Sequence, residues 1–293
     1  MSGRTSPERL DKLVPDLALL VIVTFNSQNV ISTLLSSLER QDENRWEAIV
    51  VDNSATDAAT KTAEIITTFN TQSGSSQPVI YMRTASNIGY LPAAALALAG
   101  VKVERYKRIV VCNPDVEFSA SFISQILESP FEDEILAPSV VDRDSGEDQN
   151  PYLVQPVSFV RGVALAALEL APTRWRHAAI SHATKRELRR TRPPAAPGMP
   201  IYAPHGSVIV LPTRFFTRGG HLRYPLPLYG EEEFIADQAK ALGVNVICDP
   251  EIRVTHHSGH ATSEASAFVL LSRRRARFHV LKARVTGAWT RRP

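Results

Sequence analysis

The chain has 293 residues, 44% hydrophobic and 22% charged, with a formal net charge of +3 at pH 7. That is ordinary globular composition with ample length for a sizeable core. Its two cysteines, Cys112 and Cys248, sit inside apolar runs, so they exclude a disulfide framework and read as small core residues compatible with a reducing cytoplasm. The first twenty residues mix charge and proline and lack the pattern of a signal peptide. The best candidate for a membrane span, "GVALAALELAP", is short and contains Glu169, so a soluble chain is expected.

The first strong element is "LALLVIVTFN", a continuous apolar run of the kind that forms a strand buried on both faces. In "SQNVISTLLSSLERQ" the residues Val30, Leu34, Leu35 and Leu38 recur at helical spacing, and Ser27 or Asn29 could cap the start. "WEAIVVDNSATD" is a second strand and "AATKTAEIITTFN" a second helix. "PVIYMRT" follows as a strand, "LPAAALALAGVKV" as a helix and "RIVVCNPD" as a fourth strand. This alternation predicts parallel βαβ units with right-handed crossovers, hence an α/β fold. After about Val141 the pattern weakens into the polar "DRDSGEDQNP", a basic stretch and the proline-rich "RPPAAPGMPIYAP", which read as a long connection or mobile flap. Order returns with "HGSVIVLPTRFF" as a strand, "GEEEFIADQAKALG" as a helix stopped by Gly243, and "VNVICDP" as a strand leading into "EIRVTHHSGHATS".

The small net charge hides an asymmetry. Residues 173–192 carry seven basic residues against Glu187, and residues 273–292 carry eight and no acid, so the rest of the chain is acidic overall. Basic segments of this kind attract anionic lipid, polyanionic polymer or nucleic acid. Trp175, Ile180 and Leu188 in the first, and Phe278 and Leu281 in the second, suit a helix lying on an anionic membrane. A solvated helix face is the plainer alternative. No nucleic-acid motif accompanies either segment, which speaks against that partner.

In doubly wound sheets, ligands sit beyond the carboxyl ends of the strands. Three polar clusters fall there: Thr24-Phe25-Asn26, Asp52-Asn53-Ser54 and Asn113-Pro114-Asp115. No G-x-G-x-x-G, P-loop or G-x-S-x-G pattern is present, which argues against a dinucleotide fingerprint, a P-loop NTPase and an α/β serine hydrolase. Each cluster also has a plain structural reading. Asn-Pro starts turns, Asp52-Asn53-Ser54 could be a strand-end turn or cap, Glu231-Glu232-Glu233 could be acids favoured at a helix start, and His256, His257 and His260 could be a solvated loop.

Taken in order, "VIVTFNS" with "LLSSLERQ", "EAIVVDNSATD", "NIGYLPAAALALA" and "RIVVCNPDVEF" resemble the amino-terminal half of a family 2 glycosyltransferase. "GSVIVLPTRFFTRGG", "LYGEEEFIADQAKALG" and "IRVTHHSG" are similar to that family's later blocks, and the resemblance runs from about Leu17 to Thr262. It implies the GT-A fold, with a mostly parallel central sheet flanked by helices, and inverting transfer from a nucleotide-diphosphate sugar, as in cell-wall or polysaccharide synthesis. It also implies a catalytic domain over residues 17–262, between a tail at 1–16 and a basic segment at 263–293. Within that domain lie a nucleotide-sugar half at 17–140, the basic and proline-rich connection at 141–200 and an acceptor half at 201–262.

By the same resemblance, Asp115 is the last position of a metal-binding D-x-D and His256 a later metal ligand, together holding Mg²⁺ or Mn²⁺. Glu232, in a pair with Glu231, falls at the catalytic base. Thr24, Asp52 and Asn53 occupy nucleoside positions, and Asn87 and Gly89 mark the loop that approaches the donor. Four departures stand out: Asn113 replaces the first aspartate of D-x-D, the base is Glu rather than Asp, Phe234 stands where an aspartate is usual, and "GGHLRYP" lacks the usual acids. The N-P-D-V variant resembles a rhamnosyltransferase-like branch and points to a dTDP-linked deoxysugar. The implied acceptor is a lipid-linked or polymeric glycan, met in the cytoplasm at the inner face of the plasma membrane. The competing readings are a nucleotidyltransferase on a similar sheet and a glycan-binding or scaffold protein that has lost activity.

Overall fold

The computed structural model describes residues 16–72, 77–168, 193–257 and 267–289. The amino-terminal part follows the expected alternation: β1 (Leu17–Thr24), α1 (Ile31–Glu39), β2 (Trp46–Asp52), α2 (Thr56–Gln72), β3 (Val79–Arg83), α3 (Tyr90–Leu98) and β4 (Tyr106–Cys112). β1 pairs in parallel with β2 and β4, and β2 with β3. β1 is buried along almost its whole length because helices cover both faces, which is why it reads as an unbroken apolar run. Neither expected cap closes α1: its N-cap is Val30 with no side-chain hydrogen bond, and the Ser27 hydroxyl donates instead to the Phe25 carbonyl at 3.0 Å.

Beyond Cys112 the chain departs from simple alternation. β5 (Val116–Phe118) follows β4 after three residues, then come α4 (Phe122–Glu128) and β6 (Ile135–Asp142). α5 (Phe159–Leu168) lies in the connection expected to be irregular, and β7 (Met199–Ile201) ends it. β8 (Val208–Pro212) is shorter than the expected strand, because its last residues turn into α6 (Thr213–Thr217). α7 (Glu231–Leu242) ends at Gly243, whose φ of +65° is the left-handed conformation of a helix stop. β9 (Val246–His256) runs through Pro250 as one long strand, and α8 (Ala267–Thr286) follows.

Among the described residues, these strands form one sheet in the order β3-β2-β1-β4-β8-β6-β9-β5, with β7 on β9. β8 is antiparallel to both β4 and β6, β9 is parallel to β6, and β5 is antiparallel to β9. The parallel βαβ units expected from the alternation hold from β1 to β4, and in the second half reversals at β8 and β5 change direction. β4 and β5 are consecutive in the chain yet sit far apart in the strand order. Three residues reach only about 10 Å, whereas four strand spacings in a flat sheet span roughly 19 Å. The sheet must therefore curl, and Asn113-Pro114-Asp115 is the link that brings its two parts together. Core residues pack on both faces, Leu20, Ile22, Val110 and Phe122 on one and Leu19, Val21, Val111 and Phe215 on the other. Cys112 and Cys248 are both buried and unpaired in that core.

Candidate active site

The polar clusters gather at the carboxyl ends of β1, β2 and β4. Thr24 is fully buried at the end of β1, and its hydroxyl has no hydrogen-bond partner. Asp52 turns the chain after β2: one carboxylate oxygen accepts the Ser54 amide at 2.8 Å and the other the Tyr81 hydroxyl at 3.1 Å. Burial, with help from the Asp52 charge, pushes the Tyr81 phenol up to about 12, so it stays a proton donor to Asp52. Asn53 donates to the Gly89 carbonyl at 3.1 Å and accepts from the Thr84 hydroxyl at 2.9 Å. Asn87 in turn accepts the Gly89 amide at 3.0 Å. The structure thus brings Asn53, Asn87 and Gly89 into one hydrogen-bonded loop ahead of α3. Gly89 has φ +99°, and a side chain there would press into the backbone of Pro227, whose carbonyl accepts the Tyr90 amide at 3.0 Å. Only glycine meets both demands.

Asp115 lies in the link after β4. The turn and the site are therefore one feature: the Asn113 amide donates to the Ser207 carbonyl at 2.9 Å, and the Asp115 carbonyl accepts the His257 amide at 2.8 Å. The pairing of Val116 with His256 sets the Asp115 side chain beside the His256 ring. Its buried Oδ1 accepts no hydrogen bond and lies 3.4 Å from His256 Nε2. His256 Nδ1 is 2.8 Å from Gln149 Oε1, and the tautomer with its proton on Nδ1 donates there and turns an Nε2 lone pair towards Asp115. In that tautomer two electron-pair donors face one another. His257 lies on the other side of the strand, with Nε2 3.5 Å from Glu117 and Nδ1 3.1 Å from the Arg143 guanidinium, so it takes no part. His260 lies outside the described residues. Asn113 is half-buried beside Asp115. Among the described residues, no cluster of three or more His, Cys, Asp or Glu could hold a metal, so protein donors alone do not complete a coordination shell.

Glu231 and Glu232 open α7. The two residues before them, Tyr229 (φ +69°) and Gly230 (φ +87°), are both left-handed, a backbone strain that fixes how the helix start is presented. Burial, then the neighbouring Glu232 charge, drives the buried Glu231 carboxyl well above its usual range. Burial, then Glu233, raises Glu232 to about 7, while the Gly206 backbone amide holds it down. Glu232 is half-buried, and a Cβ on Gly206 would fall 2.7 Å from its Oε1.

The segment His205-Gly206-Ser207, just ahead of β8, joins these two groups. Gly206 carries Glu232, and Ser207 holds Asn113. The Gly206 carbonyl accepts the Tyr90 hydroxyl at 3.0 Å, and the His205 ring lies 5.7 Å from that of His256. Burial above all, with Cys112, Glu231, Glu232 and Asp115 adding to it, raises the Tyr90 phenol well above its normal range, which places its hydroxyl among these groups. Sequence reasoning missed Tyr90, Gln149, His205 and Gly206. Tyr90 follows the flagged Asn87 and Gly89 directly, and "HGS" was read only as strand. Gln149, in a polar loop, carries no signal, since its role comes from a contact with His256 far along the chain. Phe234, in the place of the usual aspartate, is buried among Tyr224, His221 and Trp289, where it docks α8 onto α7.

A model of glycosyl transferase family 2 matches residues 19–191. No curated protein matches the sequence. Solved structures share the fold: GalNAc-T7 with UDP, GalNAc and Mn²⁺ (TM-score 0.56, 13% identity, 87% of this chain and 47% of that one), and S. aureus TarS 1–349 in complex with UDP-GlcNAc (TM-score 0.53, 14% identity, 86% and 61%). S. aureus TarS itself gives a TM-score of 0.51 at 12% identity, over 82% of this chain and 36% of that one. The chain thus spans less than two thirds of the structures it resembles, and at these identities the likeness is one of fold.

Proposed function

The chain belongs to glycosyl transferase family 2, and from there we propose that it is an inverting glycosyltransferase moving a sugar from a nucleotide-diphosphate donor to a lipid-linked or polymeric glycan. The observation that carries this reading is the facing pair of Asp115 Oδ1 and His256 Nε2, 3.4 Å apart, the carboxylate oxygen buried without a hydrogen bond. Such a pair is costly unless a proton or a metal cation is shared between its members, and on this reading it holds the metal. Asp115 and His256 would hold a divalent cation together with the donor's diphosphate, the imidazole nitrogen favouring Mn²⁺ over Mg²⁺. Such an ion supplies charge neutralisation for the leaving diphosphate.

The chain's own groups do the remaining work. Thr24, Asp52 and Asn53 hold the nucleoside, and the Asn87–Gly89 loop lies against the donor. Glu232 accepts the proton of the acceptor hydroxyl as its oxygen attacks the anomeric carbon, while the bond from that carbon to the diphosphate oxygen breaks on the opposite face. Inversion follows. Burial and the Glu232 charge favour the protonated form of Glu231, which supports Glu232 as the base of the pair. The N-P-D-V variant at Asn113 resembles a rhamnosyltransferase-like branch, and on that resemblance the donor is taken to be a dTDP-linked deoxysugar such as rhamnose. The acceptor is met at an anionic membrane surface reached through the basic segments at 173–192 and 273–292. The first of these lies outside the described residues.

The test is thermal unfolding against a panel of nucleotide sugars, with and without Mn²⁺, repeated on Asp115→Ala. Stabilisation by one donor that needs Mn²⁺ and disappears in the variant supports the reading; no shift with any donor overturns it. A second reading, a catalytically impaired glycan-binding protein, is favoured by Asn113 together with the two-residue donor set. It predicts oligosaccharide binding with neither donor hydrolysis nor transfer at any metal concentration.

A further inference from the structure

Two helices outside the site leave a surface that the chemistry above does not use. On α5, Phe159, Val160, Val163, Ala164 and Ala167 share one outward face with no charge on it, and Val160 is 78% exposed. α8 buries Ser272, Ala276, Val280 and Ala283 against the body and turns Leu271, Phe278 and Val285 outward at seven-residue spacing, with Val285 67% exposed. Arg274, Arg275 and Lys282 stand on that same face and, with Leu226, Leu271 and Phe278, border a groove of about 490 Å³.

The two helices are joined. Leu281 packs against Gly162, where a Cβ would meet it at 3.4 Å, and Arg284 donates to the Val157 carbonyl at 3.2 Å. Arg284 also pairs with Asp237 of α7 at 3.1 Å, which ties the surface to the helix that begins with Glu231 and Glu232. Residues 267–289 contain no acid.

We propose that the adjoining faces of α5 and α8 form a platform that seats the protein on an anionic phospholipid bilayer. Phe159, Val160, Leu271, Phe278 and Val285 enter the interface, and Arg274, Arg275 and Lys282 meet the lipid phosphates. The proposal rests on the membrane partner proposed above and adds its geometry, including an apolar helix outside the two basic segments whose outward face is uncharged. Charge complementarity selects the occupant. A second copy would bring like charges together across the contact, and a nucleic acid offers nothing to an uncharged aliphatic face, whereas an anionic bilayer satisfies both halves. Among the described residues no helix is long and apolar enough to cross a membrane, which fits a helix pair lying in the interface.

Flotation of the full chain with vesicles of phosphatidylcholine, alone or mixed with phosphatidylglycerol, tests the platform. Binding is expected only to the mixed vesicles. Val160→Asp and Phe278→Asp should each weaken it about tenfold by placing charge where apolar surface enters, and Arg274→Gln with Arg275→Gln about thirtyfold. Each change lies on an exposed face, so unchanged thermal unfolding and unchanged nucleotide-sugar binding serve as controls. Absence of vesicle binding in a chain that still takes a nucleotide sugar overturns the platform and leaves the transfer reading standing. Vesicle binding without nucleotide-sugar binding supports the platform and removes the transfer reading. A wild-type dimer that Val160→Asp converts to monomer assigns the face to a second copy and also overturns the proposal.

Discussion

At the scale of single residues, the site depends on which groups are denied their ordinary partners. On the proposed reading Glu232, raised to about 7 by burial and by Glu233, acts as base in its ionised form, which dominates above neutrality. The rate of transfer should fall about tenfold per pH unit below 7, and Glu232→Gln should lower kcat about 10²- to 10⁴-fold with donor affinity kept. Linkage gives the sign of the stability effect. A carboxyl whose folded pKa lies above its unfolded value of 4.5 favours the fold below 4.5, and that contribution is lost as pH rises through about 7. Glu232→Gln should therefore flatten the fall in Tm between those two values, which unfolding scans at several pH values would measure. Gly206 is the neighbouring control. An alanine there would displace Glu232 Oε1 from a position only 2.7 Å away, so Gly206→Ala should cost about a hundredfold in kcat while Mn²⁺-dependent donor binding persists. Unchanged turnover in that variant would mean that the carboxylate's place beside Gly206 does not matter.

At the scale of elements, what could be read from the sequence depended on whether a segment's neighbours were local. β1 to β4 with their helices were legible because each strand is buried on both faces and each intervening helix carries a periodic apolar stripe. β6 was not recognised, although Ile135, Leu136, Ala137 and Val140 are all buried, because its partners β8 and β9 lie far downstream. α5 was hidden for the opposite reason. Its apolar residues Phe159, Val160 and Val163 are exposed rather than buried, so the run reads only as a short apolar stretch within a long connection. Phe234 gives the element-scale prediction. It is buried where α7 meets the aromatic residues Tyr224 and Trp289, so Phe234→Ala should cost about 3–5 kcal/mol in denaturant unfolding. Restoring the usual acid with Phe234→Asp should cost more, since a carboxylate would lose its water without gaining a partner. Tryptophan emission from Trp289 should shift to the red in both variants as α8 loosens. Arg108 anchors the other side of the sheet. Fully buried, it donates to the carbonyls of Ile126, Phe131 and Glu134, so Arg108→Met should destabilise by about 3 kcal/mol through those orphaned acceptors.

At the scale of the whole molecule, residue types marked the site more readily than the contacts that build it. Asp115 and His256 were each recognisable by their place in ordered blocks, yet their meeting depends on the curl of the sheet, which no local window records. The same curl bears on how the protein comes into being. Val116 pairs with His256 near the opposite end of the described sheet, so a chain emerging from synthesis can assemble β1 to β4 long before β9 exists. Loop-closure entropy makes the β5–β9 zipper a late event. Amides of Val116–Phe118 should therefore gain protection after those of β1 and β4 in pulse-labelled refolding. On the proposed reading, a nascent or truncated chain that has not reached Val246 would hold a formed half-sheet with nothing beside Asp115, so the proposed cation site, and transfer with it, waits for β9.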